Sequence, residues 1–246
     1  MRVDLVQEYR RSFLGLTWLL LLPLVTVGIW FLLNRAGVIE PGETDVPYPA
    51  YVLLSTSIWG FFAELYKACA KILESNGRLL LMTPFPSESF VVAAIGVHLI
   101  RFTVPFLLNV IVLLAFGVNF TWAALLFPLA LIPLLLLGAA IGLISALLKI
   151  VAVDVSKIID EGIRLLMFLS PVVYSPKIEL GRLSFIIDVN PLTYLLSFPR
   201  DLLTSGTFFR PELFAVCTGA AILFFLLALR FFRLAEPRVR ERLIAN

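Results

Sequence analysis

Residues 167–203 read MFLSPVVYSPKIELGRLSFIIDVNPLTYLLSFPRDLL. An apolar helix enters this stretch and is broken by Pro171 and Pro176, because proline removes a backbone hydrogen bond and clashes with the preceding helical turn. A second apolar segment restarts at Asn190 and Pro191. It is too short to cross a bilayer, which takes roughly 20 residues. The stretch therefore predicts a chain that dips into one side of a membrane and returns to that side.

The composition places the rest of the chain in a membrane as well. Of its 246 residues, 60% are hydrophobic and 15% are charged, and the mean hydropathy is +0.98. So few charged side chains could not cover the surface of a water-soluble fold. Several apolar windows are long enough for a helical crossing, and the alternating pattern of membrane strands is absent. We expect an all-α membrane protein.

Six apolar segments predict six transmembrane helices. Their predicted bounds are 14–33, 51–66, 90–116, 122–148, 158–169 and 213–232, with residues 149–157 as a short connection. The fourth segment contains the small residues Gly138, Ala139, Ala140, Gly142 and Ala146. Small side chains let another helix backbone come close, so we expect a tightly packed neighbour for this helix.

The distribution of Lys and Arg predicts the orientation. With six crossings both termini share one side, which carries Arg2, Arg10, Arg11, Lys67, Lys71, Arg78, Lys149, Lys157, Arg164, Arg230, Arg233, Arg238, Arg240 and Arg242. The other side carries only Arg35, Lys177, Arg182, Arg200 and Arg210. Because cytoplasmic loops are enriched in Lys and Arg, both termini are predicted to be cytoplasmic.

This orientation divides the chain into a single transmembrane domain with four peripheral segments. Residues 1–12 form either a short interfacial helix or a plain polar leader. Residues 68–89 form a cytoplasmic segment, residues 175–209 an extracytoplasmic re-entrant region with short helices, and residues 234–246 a cytoplasmic tail.

Common catalytic motifs are missing from the sequence. We find no G-x-x-x-x-G-K-[ST] phosphate loop and no G-x-S-x-G nucleophile elbow, and the single His excludes H-E-x-x-H. We therefore expect this chain to catalyse no reaction and to bind no cofactor by itself.

The predicted cytoplasmic segment combines charges, prolines and an apolar run. Its candidate functional residues are Glu74, Asn76, Arg78, Leu79, Leu80, Met82 and Pro84. One interpretation is an ordinary connecting loop. Such a loop would not need apolar residues at 79–82 unless a partner buried them, so the other interpretation is a docking site for a separate cytoplasmic protein.

Charged residues also gather at the start of the fifth helix. Lys157 and Glu161 stand at i, i+4, and Glu161 and Arg164 at i, i+3, so both pairs can form on one helix surface. A solvated helix start that complements the helix dipole is one interpretation. A cytoplasmic gate is the other, since charges near membrane depth usually face a wet cavity or a partner.

Several segments, taken in order along essentially the whole chain, resemble those of the polysaccharide-exporting permeases of the ABC type-2 family. Residues 9–23 resemble the entry to the first span, residues 76–86 the coupling segment, and residues 232–237 the tail. Residues 169–174 and 190–201 resemble the fifth helix and the re-entrant region. The resemblance implies a fold with a cytoplasmic coupling helix.

The resemblance also implies partners and a cargo. It implies a homodimer in the inner membrane of a bacterium, with two separate nucleotide-binding subunits that carry ATP and magnesium. The implied cargo is a lipid-linked polysaccharide such as O antigen, capsular polymer or teichoic acid. Membrane lipids surround such a permease, and no nucleic acid is expected.

Site residues follow from the resemblance and from sugar chemistry. The implied extracytoplasmic lid comprises Pro171, Tyr174, Asn190, Pro191, Tyr194, Arg200 and Asp201. Because sugar faces stack on aromatic rings, a polysaccharide pore should be rich in aromatic residues. The candidate pore residues are Tyr51, Ser55, Trp59, Phe62, Tyr66 and Phe168. In a chain with 21 Phe, packing in the core or against lipid is the alternative for each aromatic residue.

Two further functions stay open. A type-2 exporter of a small amphipathic drug or lipid would have a smaller and drier pore. A membrane scaffold would recruit a cytoplasmic enzyme and transport nothing. A re-entrant segment broken by prolines is costly in lipid unless it lines a cavity, which favours transport over the scaffold.

Overall fold

A computed structural model describes residues 18–76, 88–178, 184–204 and 206–245, which are mostly α-helical and contain no strand. The helices are α1 (Trp18–Arg35), α2 (Tyr48–Ala70), α3 (Glu88–Ala115), α4 (Phe127–Ala130), α5 (Ile132–Val151), α6 (Val153–Leu169), α7 (Ser184–Val189), α8 (Pro191–Leu203) and α9 (Pro211–Ala245). A 3₁₀ turn, Trp122–Leu126, precedes α4. The all-α prediction is confirmed for the part of the chain that the structure describes.

Three helical segments within these ranges are long and apolar enough to cross a membrane. They are Glu88–Ala115, Trp122–Val151 and Pro211–Val239. Helix α2 has 23 residues and would be long enough, but it is less apolar because Glu64 and Lys67 lie within it. The chain is therefore a membrane-embedded helical protein.

Helix α5 lies at the centre of the bundle and packs against α2, α6 and α9. A Cβ added at Gly138 would lie 2.9 Å from the carbonyl oxygen of Phe62. At Gly142 it would lie 2.5 Å from Cβ of Cys69 and 2.6 Å from the carbonyl oxygen of Tyr66. Backbones this close leave no room for a side chain, so the predicted tight helix packing is confirmed.

Two predicted helix boundaries are wrong. Residues 149–157 do not form a connection, because only Ala152 is extended (φ −151°, ψ 104°) between α5 and α6. Asp154 then lies in the first turn of α6, where its negative charge complements the helix dipole. The last helix was expected to end at residue 232, but α9 continues through Pro237 to Ala245, so residues 234–245 of the predicted tail are helical.

Replacing Gly142 by leucine should destabilise the protein, because the nearest atoms on α2 include the backbone and the two helices would have to separate. Overpacking of this kind typically costs about 1–3 kcal/mol. Gly219→Leu on α9 is the matched control, since no atom lies within 4 Å of a Cβ at that position. Thermal unfolding in detergent, followed by circular dichroism, compares the two. Equal melting temperatures would contradict a requirement for glycine at the α2–α5 contact.

Candidate functional site

Helix α6 ends at Leu169, and residues 170–176, which we call the break, lead from it towards α7 and α8. Ser170, Val172, Val173 and Ser175 in this segment are buried. The last carbonyl groups of a helix have no partner inside the helix. A buried carbonyl without a hydrogen bond costs about 1–3 kcal/mol, so the break requires donors from elsewhere in the chain.

Two tyrosines of α2 supply donors to the break. The hydroxyl of Tyr48 donates to the carbonyl oxygen of Val173 at 3.1 Å. The hydroxyl of Tyr51 donates to the carbonyl oxygen of Tyr174 at 2.7 Å and lies 3.4 Å from that of Pro171. These two residues, one helical turn apart, attach the first turn of α2 to the break.

A buried guanidinium on α8 supplies the charged donor. Arg200 is 3% exposed, and its Nη1 donates to the carbonyl oxygen of Pro171 at 2.9 Å and to Oγ of Ser55 at 3.3 Å. Its Nη2 donates to Oγ of Ser197 at 3.0 Å. Its Cζ lies 4.5 Å from the centre of the Tyr51 ring, a favourable cation–π distance. One side chain thus joins α2, α8 and the break.

The neighbouring carboxylate of Asp201 balances this charge. Its Oδ1 lies 3.8 Å from Nε of Arg200, and its Oδ2 accepts a hydrogen bond from the backbone N–H of Phe209 at 2.9 Å. Burial raises the pKa of Asp201 to about 6, while the charge of Arg200 opposes the rise. Within the described ranges no three His, Cys, Asp or Glu side chains group closely enough to hold a metal ion. Hydrogen bonds and opposite charges connect the described residues of this site.

Asn190 connects the end of α6 to the start of α8. Its Oδ1 accepts from the backbone N–H of Leu192 at 3.0 Å, as a helix N-cap does. Its Nδ2 donates to the carbonyl oxygen of Leu169 at 3.2 Å and to Oγ of Ser170 at 2.9 Å. Pro191 occupies the first helical position, where its missing N–H is not needed. The Asn-Pro pair thus fixes the end of α6 and the start of α8.

The two tyrosines of the predicted lid bind nearby backbone. The hydroxyl of Tyr174 donates to the carbonyl oxygen of Phe168 at 3.3 Å, and that of Tyr194 donates to the carbonyl oxygen of Asp188 at 2.7 Å. The Tyr194 ring also stacks on Phe209 with centres 6.2 Å apart. The structure therefore brings the predicted lid residues to the break and the helices beside it, and their function as a lid stays a prediction.

The predicted pore residues of α2 face the inside of the protomer. Tyr51, Ser55, Trp59, Phe62 and Tyr66 are each at most 7% exposed. Tyr51 donates to the break, and Ser55 accepts a hydrogen bond from Arg200. The hydroxyl of Tyr66 donates to Oδ1 of Asp160 on α6 at 2.7 Å. Phe168, by contrast, is 56% exposed. In this chain the inward face of α2 is a packing face, and a pore-lining role for it stays a prediction.

Sequence reasoning missed Tyr48 and Ser197 as members of this network. Both lie one helical turn from a predicted member: Tyr48 precedes Tyr51 by three residues, and Ser197 precedes Arg200 by three. Residues three apart on a helix share a face. The spacing of three residues could therefore have identified both as members of the network.

The predicted gate residues form surface ion pairs. Arg164 and Glu161 lie 3.1 Å apart, which confirms that pair. Lys157 pairs with Asp154 at 3.3 Å, so the expected pairing of Lys157 with Glu161 is replaced. The side chains of both pairs are at least 60% exposed, and such pairs contribute little to stability. A gating role stays a prediction.

The predicted coupling residues are only partly described. Arg78, Leu79, Leu80, Met82 and Pro84 lie outside the described residues. Asn76 donates from Nδ2 to the carbonyl oxygen of Ile72 at 3.0 Å. Glu74 pairs with Lys149 of α5 at 2.5 Å, and this hydrogen bond lowers the pKa of Glu74. On the far flank Glu88 forms an ion pair with Arg233 of α9. Ion pairs therefore hold both flanks of residues 77–87.

Replacing Arg200 by methionine should destabilise the protein by about 3 kcal/mol, because breaking a buried ion pair leaves Asp201 without its counter-charge. The Pro171 carbonyl would lose its shortest bond as well. Arg210→Met is the matched control: it breaks a partly exposed pair with Asp188, which should cost less than about 1 kcal/mol. Chemical unfolding in detergent measures both. Similar losses would contradict a special role for the buried guanidinium.

Comparison with known proteins agrees with this architecture. A family model described as ABC-2 type transporter matches residues 1–203. The chain is 22% identical over 209 residues to the O-antigen export system permease protein RfbA of Klebsiella pneumoniae, covering 83% of this chain and 78% of that protein. It is 26% identical over 197 residues to the O-antigen export system permease protein RfbA of Myxococcus xanthus, covering 79% and 74%. Since the family match spans most of its length, the chain belongs to the ABC-2 type transporter family.

Proposed function

We propose that the chain is the permease subunit of an ATP-driven exporter that moves a lipid-linked polysaccharide across the inner membrane of a bacterium. The observation that carries the proposal is the break. Non-helical backbone at membrane depth is tolerated where it is buried in protein or lines a water-filled cavity. Here side chains of α2 and α8 and the N-cap residue Asn190 donate hydrogen bonds to a seven-residue break. The names of the two relatives support an O antigen or a similar polymer as the cargo.

The proposed topology has six crossings and cytoplasmic termini. The crossings are α1, α2, α3, α5 with its preceding turn, α6 and α9. The excess of Lys and Arg on one side supports this orientation. The break, α7 and α8 then form the extracytoplasmic lid, and residues 77–87 lie in the cytoplasm.

Two copies of the chain are proposed to work with two separate ATPase subunits that dock on residues 77–87. The flanking ion pairs support this part of the proposal. Glu74 attaches one flank to α5 through Lys149, and Glu88 attaches the other to α9 through Arg233. Exposed ion pairs contribute only about 0–1 kcal/mol each to stability. Their role here is to position residues 77–87 relative to α5 and α9. Movement of the docked segment would then reach both helices.

Export of a small amphipathic drug or lipid is the second candidate. It is favoured by an open apolar groove of about 650 Å³, lined by residues that include Phe106, Trp122, Leu125 and Leu203. A groove of this volume matches the size range of small-molecule sites. It would not enclose a polymer.

Deletion of the gene should abolish the surface polysaccharide, and the intact chain should restore it. Tyr174→Ala and Tyr194→Ala should fail to restore it, because each loses a hydroxyl that holds backbone beside the break. Trp122→Ala is the control, since this side chain is 89% exposed outside the network and should restore the polymer. Immunoblots of extracted polysaccharide measure the outcome. An unchanged polymer after deletion would contradict polysaccharide export.

Replacing Leu79, Leu80 and Met82 together by serine should weaken recovery of the ATPase subunit on co-purification, because docking would lose its apolar contacts. Glu74→Gln removes a flanking ion pair without touching the apolar run. It should leave recovery of the ATPase unchanged while lowering export several-fold. Equal recovery from the triple variant and the intact chain would overturn the docking assignment.

A further inference from the structure

Helix α2 has a second face that the network does not use. Gly60, Glu64 and Lys67 of α2 and its C-cap residue Lys71 follow one another at intervals of three or four residues and therefore share this face. The three charged side chains are exposed, and a Cβ added at Gly60 would meet no atom within 4 Å. We call these four residues the open face of α2.

The position of Glu64 shows what this face can border. The residue precedes the last residue of α2 by six positions, which at 1.5 Å per residue is about 9 Å along the helix. Glu64 forms no ion pair with any residue that the structure describes. A carboxylate that faces lipid is costly. Lysines near a helix end can extend to the interface, but the shorter glutamate side chain reaches less far.

Other polar residues of α2 set the upper limit of the open face. The hydroxyls of Thr56 and Ser57 donate to the carbonyl oxygens of Val52 and Leu53, at 2.6 and 2.8 Å. Because these hydroxyls are satisfied within the helix, they tolerate lipid and do not require water. The residues of α2 that require contact with water therefore lie after Ser57, towards Ala70.

We propose that the open face of α2 borders a water-filled entrance on the cytoplasmic side and contacts the sugar hydroxyls of the cargo. The class of cargo rests on the proposed function, whereas the water-filled entrance rests on the geometry alone. The carboxylate accepts hydrogen bonds from hydroxyl groups and the two ammonium groups donate them. Gly60 leaves space for the sugar chain to pass.

Direct packing of a second copy on this face is the competing occupant. It would bury one carboxylate and two ammonium groups, of which, among the described residues, Lys71 alone has a further carboxylate nearby, that of Glu74. The desolvation of such groups costs several kcal/mol per ion. Charge therefore favours water and hydroxyl groups over a dry interface.

Cysteine accessibility tests the water-filled entrance. In a Cys69→Ala, Cys217→Ala background, single cysteines replace Gly60, Glu64 or Lys71, with Leu107→Cys and Ile111→Cys on the exposed apolar face of α3 as controls. A charged, membrane-impermeant maleimide is added to inside-out vesicles. Thiolates form in water and not in lipid, so the open face should react at least about tenfold faster than the controls. Equal rates, or cross-linking between copies at Gly60→Cys with protection from the maleimide, would overturn the proposal.

Blocking the face tests its contact with the cargo. Gly60→Phe places a large side chain in open space, so folding and recovery of the ATPase should be unchanged while export falls several-fold. Gly219→Phe on α9 is the matched control and should export normally. Normal export by Gly60→Phe would overturn the cargo contact. If the intact chain exports no polysaccharide, the proposed function fails, and the labelling rates still decide whether the face is wet.

Discussion

The carbonyl oxygens around the break need hydrogen-bond donors, and the arrangement of the surrounding helices follows from that need. Asn190 donates to the carbonyl oxygen of Leu169 and Arg200 to that of Pro171. Tyr48 and Tyr51 of α2 donate to the carbonyl oxygens of Val173 and Tyr174. Arginine suits the central position because its planar group donates in several directions at once and stays charged. A lysine or an amide could not reach the break, α2 and α8 together.

Helix α2 connects this network to the rest of the molecule. Its first turn holds the break, its middle lies against Gly138 and Gly142 of α5, and Tyr66 near its end binds Asp160 of α6. The tight glycine contact allows little change in the distance between α2 and α5. A displacement of the Ala70 end of α2 would therefore reach the break along the helix.

The helix end before Pro171 and the helix start at Asn190 and Pro191 were predictable because prolines and Asn-Pro pairs act on their own backbone and leave a local signal. The start of α6 was not predictable, since Ala152 is extended without a glycine or proline to indicate it. Which face of α2 points into the helix bundle could not be predicted from the sequence either. Tyr51 and Tyr66 suit a pore and a core equally well as residue types, and only the position of the neighbouring helices decides between them.

The two faces of α2 have different roles: the aromatic face packs against other helices, and the polar face is exposed. The aromatic side chains bury the most area, so packing inside the protomer takes that face and leaves the polar one outside. Lipid tails provide no hydrophobic force between helices, and a polar stripe therefore cannot be hidden by general apolar packing. It stays at a surface that water or a polar ligand reaches. In so apolar a chain, exposed charge within a long helix is a better indicator of a water path than aromatic residues are.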